Sequence, residues 1–251
     1  MNLTFPVYLY LGDLQIHPHF LFEMIAYVIA FRLLLWKNTR KDNITSSQRT
    51  SVIVGGMVGA LLGAKVLVLL QHLNLLWQDW RLYILLLFQG KTIVGALLGG
   101  LIGVEVTKKF IGVKKSTGDV FVYPLMTAMG IGRIGCFLTG LSDRTYGIAT
   151  SLPWGVDFGD GILRHPTQIY EIFFLISWGI LLHFRSKYQQ QEGDLFKFFM
   201  VGYLSFRFLV DFLKPDFPLI FGLSAIQLAC LVALIYYRRS ITNLFKFSSH
   251  I

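Results

Sequence analysis

The stretch VIVGGMVGALLGAKVLVLL, residues 52–70, decides the fold class. It holds a single ionisable group, Lys65, and no proline. A helix needs about 20 mostly apolar residues to cross the hydrocarbon core of a bilayer. A helix on the surface of a soluble protein keeps a polar face, and this stretch has none. Similar segments recur on both sides, at Phe20–Trp36, Ile93–Val106, Val120–Leu138, Thr167–Phe184, Leu195–Leu213 and Leu223–Tyr237. The composition agrees: 54% of the residues are hydrophobic and 15% charged. Soluble domains carry about 25% charge, so a water-facing surface cannot be built from this chain. The expected fold is all-α: a polytopic transmembrane bundle of about seven spans, with residues 1–251 forming one integral membrane domain. The third span is short. Leu82–Phe88 runs into it through Gly90–Lys91, which reads as a broken or re-entrant segment. Such backbone survives at membrane depth only where protein or a wet cavity covers it.

Lys and Arg in short loops set orientation. The loops after spans one, three and five and the tail carry Lys37, Arg40, Lys41, Arg49, Lys108, Lys109, Lys114, Lys115, Arg185, Lys187, Arg238, Arg239 and Lys246, thirteen in all. The other side has four: Arg81, Arg144, Arg164 and Lys214. The N-terminus is therefore expected outside and the C-terminus in the cytoplasm. The bias also explains the net charge of +9. Charges at membrane flanks give no reason to expect nucleic acid. Met1–Pro18 lacks the basic start and cleavage site of a signal peptide. The loop Thr139–Pro166 is long enough to form a cap. Cys136 and Cys230 fall in apolar segments and read as free thiols. No metal-ligand spacing is visible, and neither a metal nor another cofactor is expected.

Ionisable residues within spans are costly and usually functional. Here they are Glu23, Lys65, Arg133, Arg207 and Asp211, with Lys91 beside the break. Arg207 and Asp211, four apart, share a helix face and read either as a self-neutralising pair or as part of a site. Arg133 has no acid within a turn, so its partner must come from another helix or a ligand. Two arginines converging on one phosphate would suit the planar guanidinium fork. Lys65 and Lys91 either add positive charge or snorkel to the headgroups. Glu23, near His17 and His19, pairs with a lysine or accepts a proton. Gly55, Gly59 and Gly63 in span two, and Gly95, Gly99 and Gly103 in span three, recur every fourth residue. That spacing suits tight helix packing, or room for a lipid chain.

At these residues the sequence resembles the prolipoprotein diacylglyceryl transferase family. Gly132–Gly140 (GRIGCFLTG) resembles its arginine-centred signature, and His165–Glu171 (HPTQIYE) its most specific motif. Phe206–Asp216 resembles its Arg-x-x-x-Glu motif with a following Pro-Asp turn, and Leu223–Gln227 the opening of its last helix. The resemblance implies transfer of a diacylglyceryl group from phosphatidylglycerol to the lipobox cysteine of a prolipoprotein in the bacterial cytoplasmic membrane. A thioether forms and glycerol phosphate leaves. The implied partners are phosphatidylglycerol or a related anionic phospholipid, the prolipoprotein signal peptide and the membrane itself. Carried over by motif, Arg133 and Arg207 hold the headgroup, and Asp211 orients Arg207. Gln168, Tyr170 and Glu171 build the outer end of the pocket, with Gln227 joining the binding set. His165 shuttles a proton, or simply caps the helix that Pro166 begins.

The departures concern the base. The family histidine of the third segment aligns with Gly95, its signature asparagine with Cys136, and a tyrosine of span one with His19 or Phe20. A thiol attacks as thiolate, so a base is needed. The available groups are His19, Glu23, His165 and Lys91. Lys91 also reads as a third cation for the phosphate, or as a charge that lowers the thiol pKa. The alternative function is a non-enzymatic phospholipid binder or translocator on the same scaffold. A transporter is the third reading, weakened by the lack of an internal repeat.

Overall fold

The computed structural model describes residues 4–37, 44–187, 191–215 and 218–245. Arg40, Lys41, Asp216 and Lys246 lie outside them. The chain divides into two compact units: Met1–Arg40 with Thr117–Pro215, and Lys41–Ser116 with Asp216–Ile251.

The first unit is built on four helices, α1 (Pro18–Lys37), α6 (Val122–Thr139), α7 (Thr167–Ser186) and α8 (Asp194–Val210). Helix α6 packs against both α1 and α7, and α7 against α8. Gly135 explains how closely α1 and α6 approach. A Cβ there would stand 2.8 Å from Phe22 Cβ and 3.3 Å from His19 Cα. The start of α8 is tied by Asp119, whose carboxylate accepts from the backbone N–H groups of Gly193 at 2.7 Å and Phe196 at 2.9 Å. Such side-chain acceptors satisfy donors that a helix N-terminus leaves open.

Two short antiparallel hairpins depart from the all-α expectation: β1 (Leu9–Leu11) with β2 (Leu14–Ile16), and β3 (Val156–Asp157) with β4 (Leu163–Arg164). The first exposes Tyr10, Leu11 and Leu14, a surface suited to a membrane interface. The second lies within the expected cap, 139–166. Its tip is ordered by Asp157 Oδ1, which accepts from the N–H groups of Gly159, Asp160 and Gly161. Phe158 is buried against the rings of Phe5, Phe137 and Tyr146. The segment is therefore packed onto α6 and the stretch before β1 through a shared aromatic cluster.

The second unit is built on α2 (Ser46–Gln71), α3 (Leu73–Gln78), α4 (Trp80–Gln89), α5 (Ile93–Ile111), α9 (Ala225–Tyr236) and α10 (Arg238–Phe245). Helices α2 and α5 meet through their glycines. A Cβ on Gly63 would collide with Gly95 O and stand 2.7 Å from Gly99 Cα, and one on Gly59 2.9 Å from Gly103 Cα. Backbone lies on backbone, so this stripe packs helices and leaves no space for a lipid chain. The broken segment is present. Helices α4 and α5 bend by 63° across Gly90–Thr92. Lys65 spans the break, donating to Phe88 O at 3.0 Å and Gly90 O at 2.8 Å. It satisfies carbonyls that the break frees, a role that neither snorkelling nor phosphate binding anticipates.

Among the described residues, four helices are long and apolar enough to cross a membrane: α1, α2, α7 and the stretch Asp119–Asp143 around α6. The bent pair α4–α5 makes five if it counts as one span. Helix α9 is shorter, at 12 residues, and α8 has 17. Most helix surface is apolar and exposed, as on Met57, Leu61, Ile102, Phe173 and Leu209. That pattern fits hydrocarbon and not water.

Candidate functional site

Glu171 is the hub of the first unit's core. It rises from the first turns of α7 and is buried. Its Oε2 lies 2.8 Å from Arg133 Nε of α6 and 3.2 Å from Arg207 Nη1 of α8. Its Oε1 accepts from the hydroxyl of Tyr203 at 2.7 Å. Arg207 Nη2 donates to Asp211 Oδ1 at 3.3 Å, one turn along the same chain. All five side chains are buried. The two arginines thus meet at one carboxylate oxygen. The partner that Arg133 lacks in sequence is Glu171 of α7, and Arg207 is held by two acids, so it is not a closed pair with Asp211. Burying charges on this scale is expensive unless they are paired and hydrogen-bonded. Arg207 Nε is buried with no partner among the described residues. A buried donor left in this way suits a ligand oxygen.

Lys214, just beyond α8, completes the charge set. Burial, then Arg207 and Arg133, hold its pKa down to about 7, against the opposing pull of Glu171 and Asp211. With Lys214 protonated the cluster has three cations and two carboxylates, a net charge of +1.

The HPTQIYE motif supplies the flank. Gln168 is buried, and its Nε2 donates to Thr145 Oγ1 at 3.1 Å. Its Oε1 has no partner among the described residues. The Tyr170 hydroxyl accepts from Trp154 Nε1 at 2.8 Å and shares a hydrogen bond of 3.0 Å with His165 Nδ1. Helix α7 has Pro166 as its N-cap with no side-chain cap, so His165 is not the capping residue that its position before proline also allowed. Its ring faces Tyr170 instead. Thr127, Ile131 and Ile134 of α6 and Ile172 and Ile176 of α7 line an apolar groove of about 620 Å³.

Glu23 of α1 accepts from the Tyr27 hydroxyl at 2.7 Å and stands 3.5 Å from His19 Nε2. Gln227 belongs to the second unit. It closes a capping box at the start of α9, its Oε1 accepting from Ser224 N at 2.8 Å. Lys91 is also in the second unit, exposed between α4 and α5. Gly95, aligned with the missing histidine, faces α2, and a Cβ on it would collide with Gly63 O. No side chain fits at that position in this packing.

Sequence reasoning missed Tyr203 and Lys214. Tyr203 was detectable: it precedes Arg207 by four residues, as Arg207 precedes Asp211, so all three share one face.

Comparison with known proteins bears on this constellation. The family profile described as prolipoprotein diacylglyceryl transferase matches residues 6–239. Among curated proteins, a phosphatidylglycerol–prolipoprotein diacylglyceryl transferase of Bordetella parapertussis is 31% identical over 230 residues, covering 84% of this chain and 83% of the relative. The enzyme of the same description from Photobacterium profundum is 32% identical over 235 residues, covering 86% and 84%. That of Clostridium tetani is 32% identical over 197 residues, covering 75% and 77%.

Proposed function

The chain belongs to the prolipoprotein diacylglyceryl transferase family, and on that premise we propose that it moves a diacylglyceryl group from phosphatidylglycerol to the lipobox cysteine thiol of a prolipoprotein. The observation that carries this reading is the meeting of Arg133 and Arg207 at Glu171, beside Lys214. A phosphodiester has one negative charge, and the cluster's net +1 complements it. As the sulfur–carbon bond forms, the carbon–oxygen bond to phosphate breaks. Its electron pair leaves on the phosphate oxygen, so the departing glycerol phosphate gains a second negative charge. Fixed guanidinium donors in a water-poor site stabilise that charge best. Glu171 and Asp211 hold the guanidiniums in place, and Gln168, Tyr170 and His165 border the pocket. The groove of Ile131 and Ile176 offers an apolar wall for an acyl chain.

The same reading places the chain in a bacterial cytoplasmic membrane. The proposed topology has about seven spans, with α8 and α9 as the two short ones. The thirteen-to-four charge bias supports an N-terminus outside and a C-terminus inside. An impermeant thiol reagent should label a cysteine introduced into the 139–166 segment and spare one at Lys114. The reverse pattern would overturn the orientation.

Complementation of a transferase-depleted bacterium, with mass spectrometry of its lipoproteins, tests the reaction. Growth with diacylglyceryl-modified lipoproteins is the expected result. A protein that binds phosphatidylglycerol yet leaves lipoproteins unmodified would be a binder or translocator, the reading favoured by the closed position at Gly95.

A further inference from the structure

We propose that His19, Cys136 and Asp143 form a divalent-cation site of the zinc class, with three protein ligands and an open fourth position that receives the acceptor thiol. The identity of that fourth ligand rests on the transferase reading; the cation site itself does not.

The three side chains converge on one point. His19 Nδ1 lies 2.8 Å from Asp143 Oδ1 and 3.9 Å from Cys136 Sγ. The three ligand atoms are all within 4.8 Å of one another. Zinc binds sulfur at about 2.3 Å, nitrogen at about 2.0 Å and oxygen at about 2.1 Å; with tetrahedral angles these imply N···S of about 3.6 Å and N···O of about 3.4 Å. Bringing Nδ1 to those distances from Oδ1 and Sγ takes side-chain shifts of about half an ångström from the positions seen. A Cys-His-Asp nucleophile would look different. In such a relay the nucleophile and the acid sit on opposite ring nitrogens, whereas here both face Nδ1.

The other ring nitrogen supports the cation reading. A metal-bound histidine usually gives its second N–H to a carboxylate, which fixes the ring. His19 Nε2 stands 3.5 Å from Glu23 Oε2, and Glu23 is itself held by Tyr27. Asp143 Oδ2 accepts from Thr145 Oγ1 at 2.5 Å, and Gln168 donates to the same hydroxyl. The set is thus oriented by neighbours down to the HPTQIYE motif. Its location is enforced by the fold: Gly135 brings α1 onto α6 at His19, one residue before Cys136. His19 and Glu23 are each about a quarter exposed, and Cys136 and Asp143 nearly buried. One side of the site is therefore open.

The chemistry answers the need for a base. Three protein ligands with one open position is the pattern of catalytic zinc, and a coordinated thiol is deprotonated outright. The acceptor thiol binds and its proton passes to water at the open side. The bound thiolate forms the sulfur–carbon bond while the carbon–oxygen bond to phosphate breaks, and nothing is oxidised or reduced. The neutral thioether is a poorer ligand than thiolate and leaves. Arg133 Nη1 lies 3.9 Å from Cys136 Sγ, so the cation adjoins the arginines that hold the phosphate.

The test uses the full chain in detergent, stripped with a chelator and titrated with Co²⁺ alone. The expected result is one equivalent bound per chain with thiolate-to-cobalt charge-transfer absorption. The band should be lost in Cys136→Ser and kept in Cys230→Ser. A lipobox peptide should strengthen it, and the same peptide with serine for cysteine should not. Glu23→Gln keeps every ligand and should weaken Co²⁺ binding by about 10–100-fold. Absence of the band in the native protein, its persistence in Cys136→Ser, its loss in Cys230→Ser, or unchanged affinity in Glu23→Gln would each overturn the site. None of these readouts involves turnover. A cobalt site without thioether formation keeps the site and removes the transferase reading. Turnover by metal-stripped protein removes the cation's role in activating the thiol and keeps the transferase reading.

Discussion

Replacing Glu171 with glutamine removes a negative charge on which two buried guanidiniums depend. The side chain keeps its shape and can still accept from Tyr203. What is lost is the counter-charge 2.8 Å from Arg133 Nε and 3.2 Å from Arg207 Nη1. Breaking a buried ion pair by removing one partner costs about 3–5 kcal/mol, mostly because the remaining charge stays buried and uncompensated. At about 2–4 °C per kcal/mol for a chain of this size, the melting temperature should drop by about 6–20 °C. Asp211 still neutralises part of Arg207, so the lower half of that range is expected. With their shared carboxylate gone, the two arginines also favour any anion that reaches them. Phosphatidylglycerol should therefore restore several degrees to Glu171→Gln and add less to the native protein, while phosphatidylcholine, with no net charge, should not. The assay is thermal unfolding in detergent followed by tryptophan fluorescence, with each lipid added in turn. A Glu171→Gln protein that melts within about 1 °C of the native one, or that responds alike to both lipids, would refute the view that this carboxylate holds the arginines for a phosphate.

Arg133→Lys keeps a charge but loses the planar fork, and should lower turnover by about 10²–10³-fold, the loss typical of one transition-state donor; near-normal turnover in a phosphatidylglycerol assay would remove Arg133 from the site. Lys214, whose pKa is held down to about 7, loses its charge as pH rises through neutrality, so phosphatidylglycerol affinity should fall between about pH 6 and 8. The sign for stability is opposite: between about 7 and the ordinary lysine value of 10.5 the unfolded chain holds the proton and the native one does not, so stability rises with pH there. Lys214→Met should flatten both trends, which lipid-binding and urea-unfolding titrations would reveal. Gly63→Val should separate α2 from α5 by steric collision with Gly95 and Gly99 and cost at least about 1–3 kcal/mol; an unchanged melting temperature would contradict the close packing.

The spans were legible because hydrocarbon imposes a simple rule on composition, and α1, α2, α6 and α7 follow it. Helix α8 was less so. It is short and holds a buried charge, and its boundary shades into a 3-10 turn at Asp211–Leu213. The arginines stood out because charge is rare in spans, yet the sequence could not say that they meet at Glu171, since that depends on how α6, α7 and α8 pack. The glycine stripes stated a spacing but not what filled the gap between them; the backbone contact of Gly63 with Gly95 decides that. His19 and Cys136 were visible as two separate departures from the family pattern, and His19 also as one of four groups able to act as a base. They lie 117 residues apart, so no ligand spacing could reveal that Gly135 brings them together beside Asp143.

The most direct test of the central claim is an in vitro transfer assay on the purified chain, using phosphatidylglycerol labelled in its terminal glycerol and a synthetic lipobox peptide. The expected result is peptide heavier by one diacylglyceryl group on its cysteine, matched mole for mole by labelled glycerol phosphate, with both products reduced together in Arg133→Lys and Arg207→Lys. Labelled glycerol phosphate without modified peptide, or modified peptide formed equally well by both arginine variants, would contradict it.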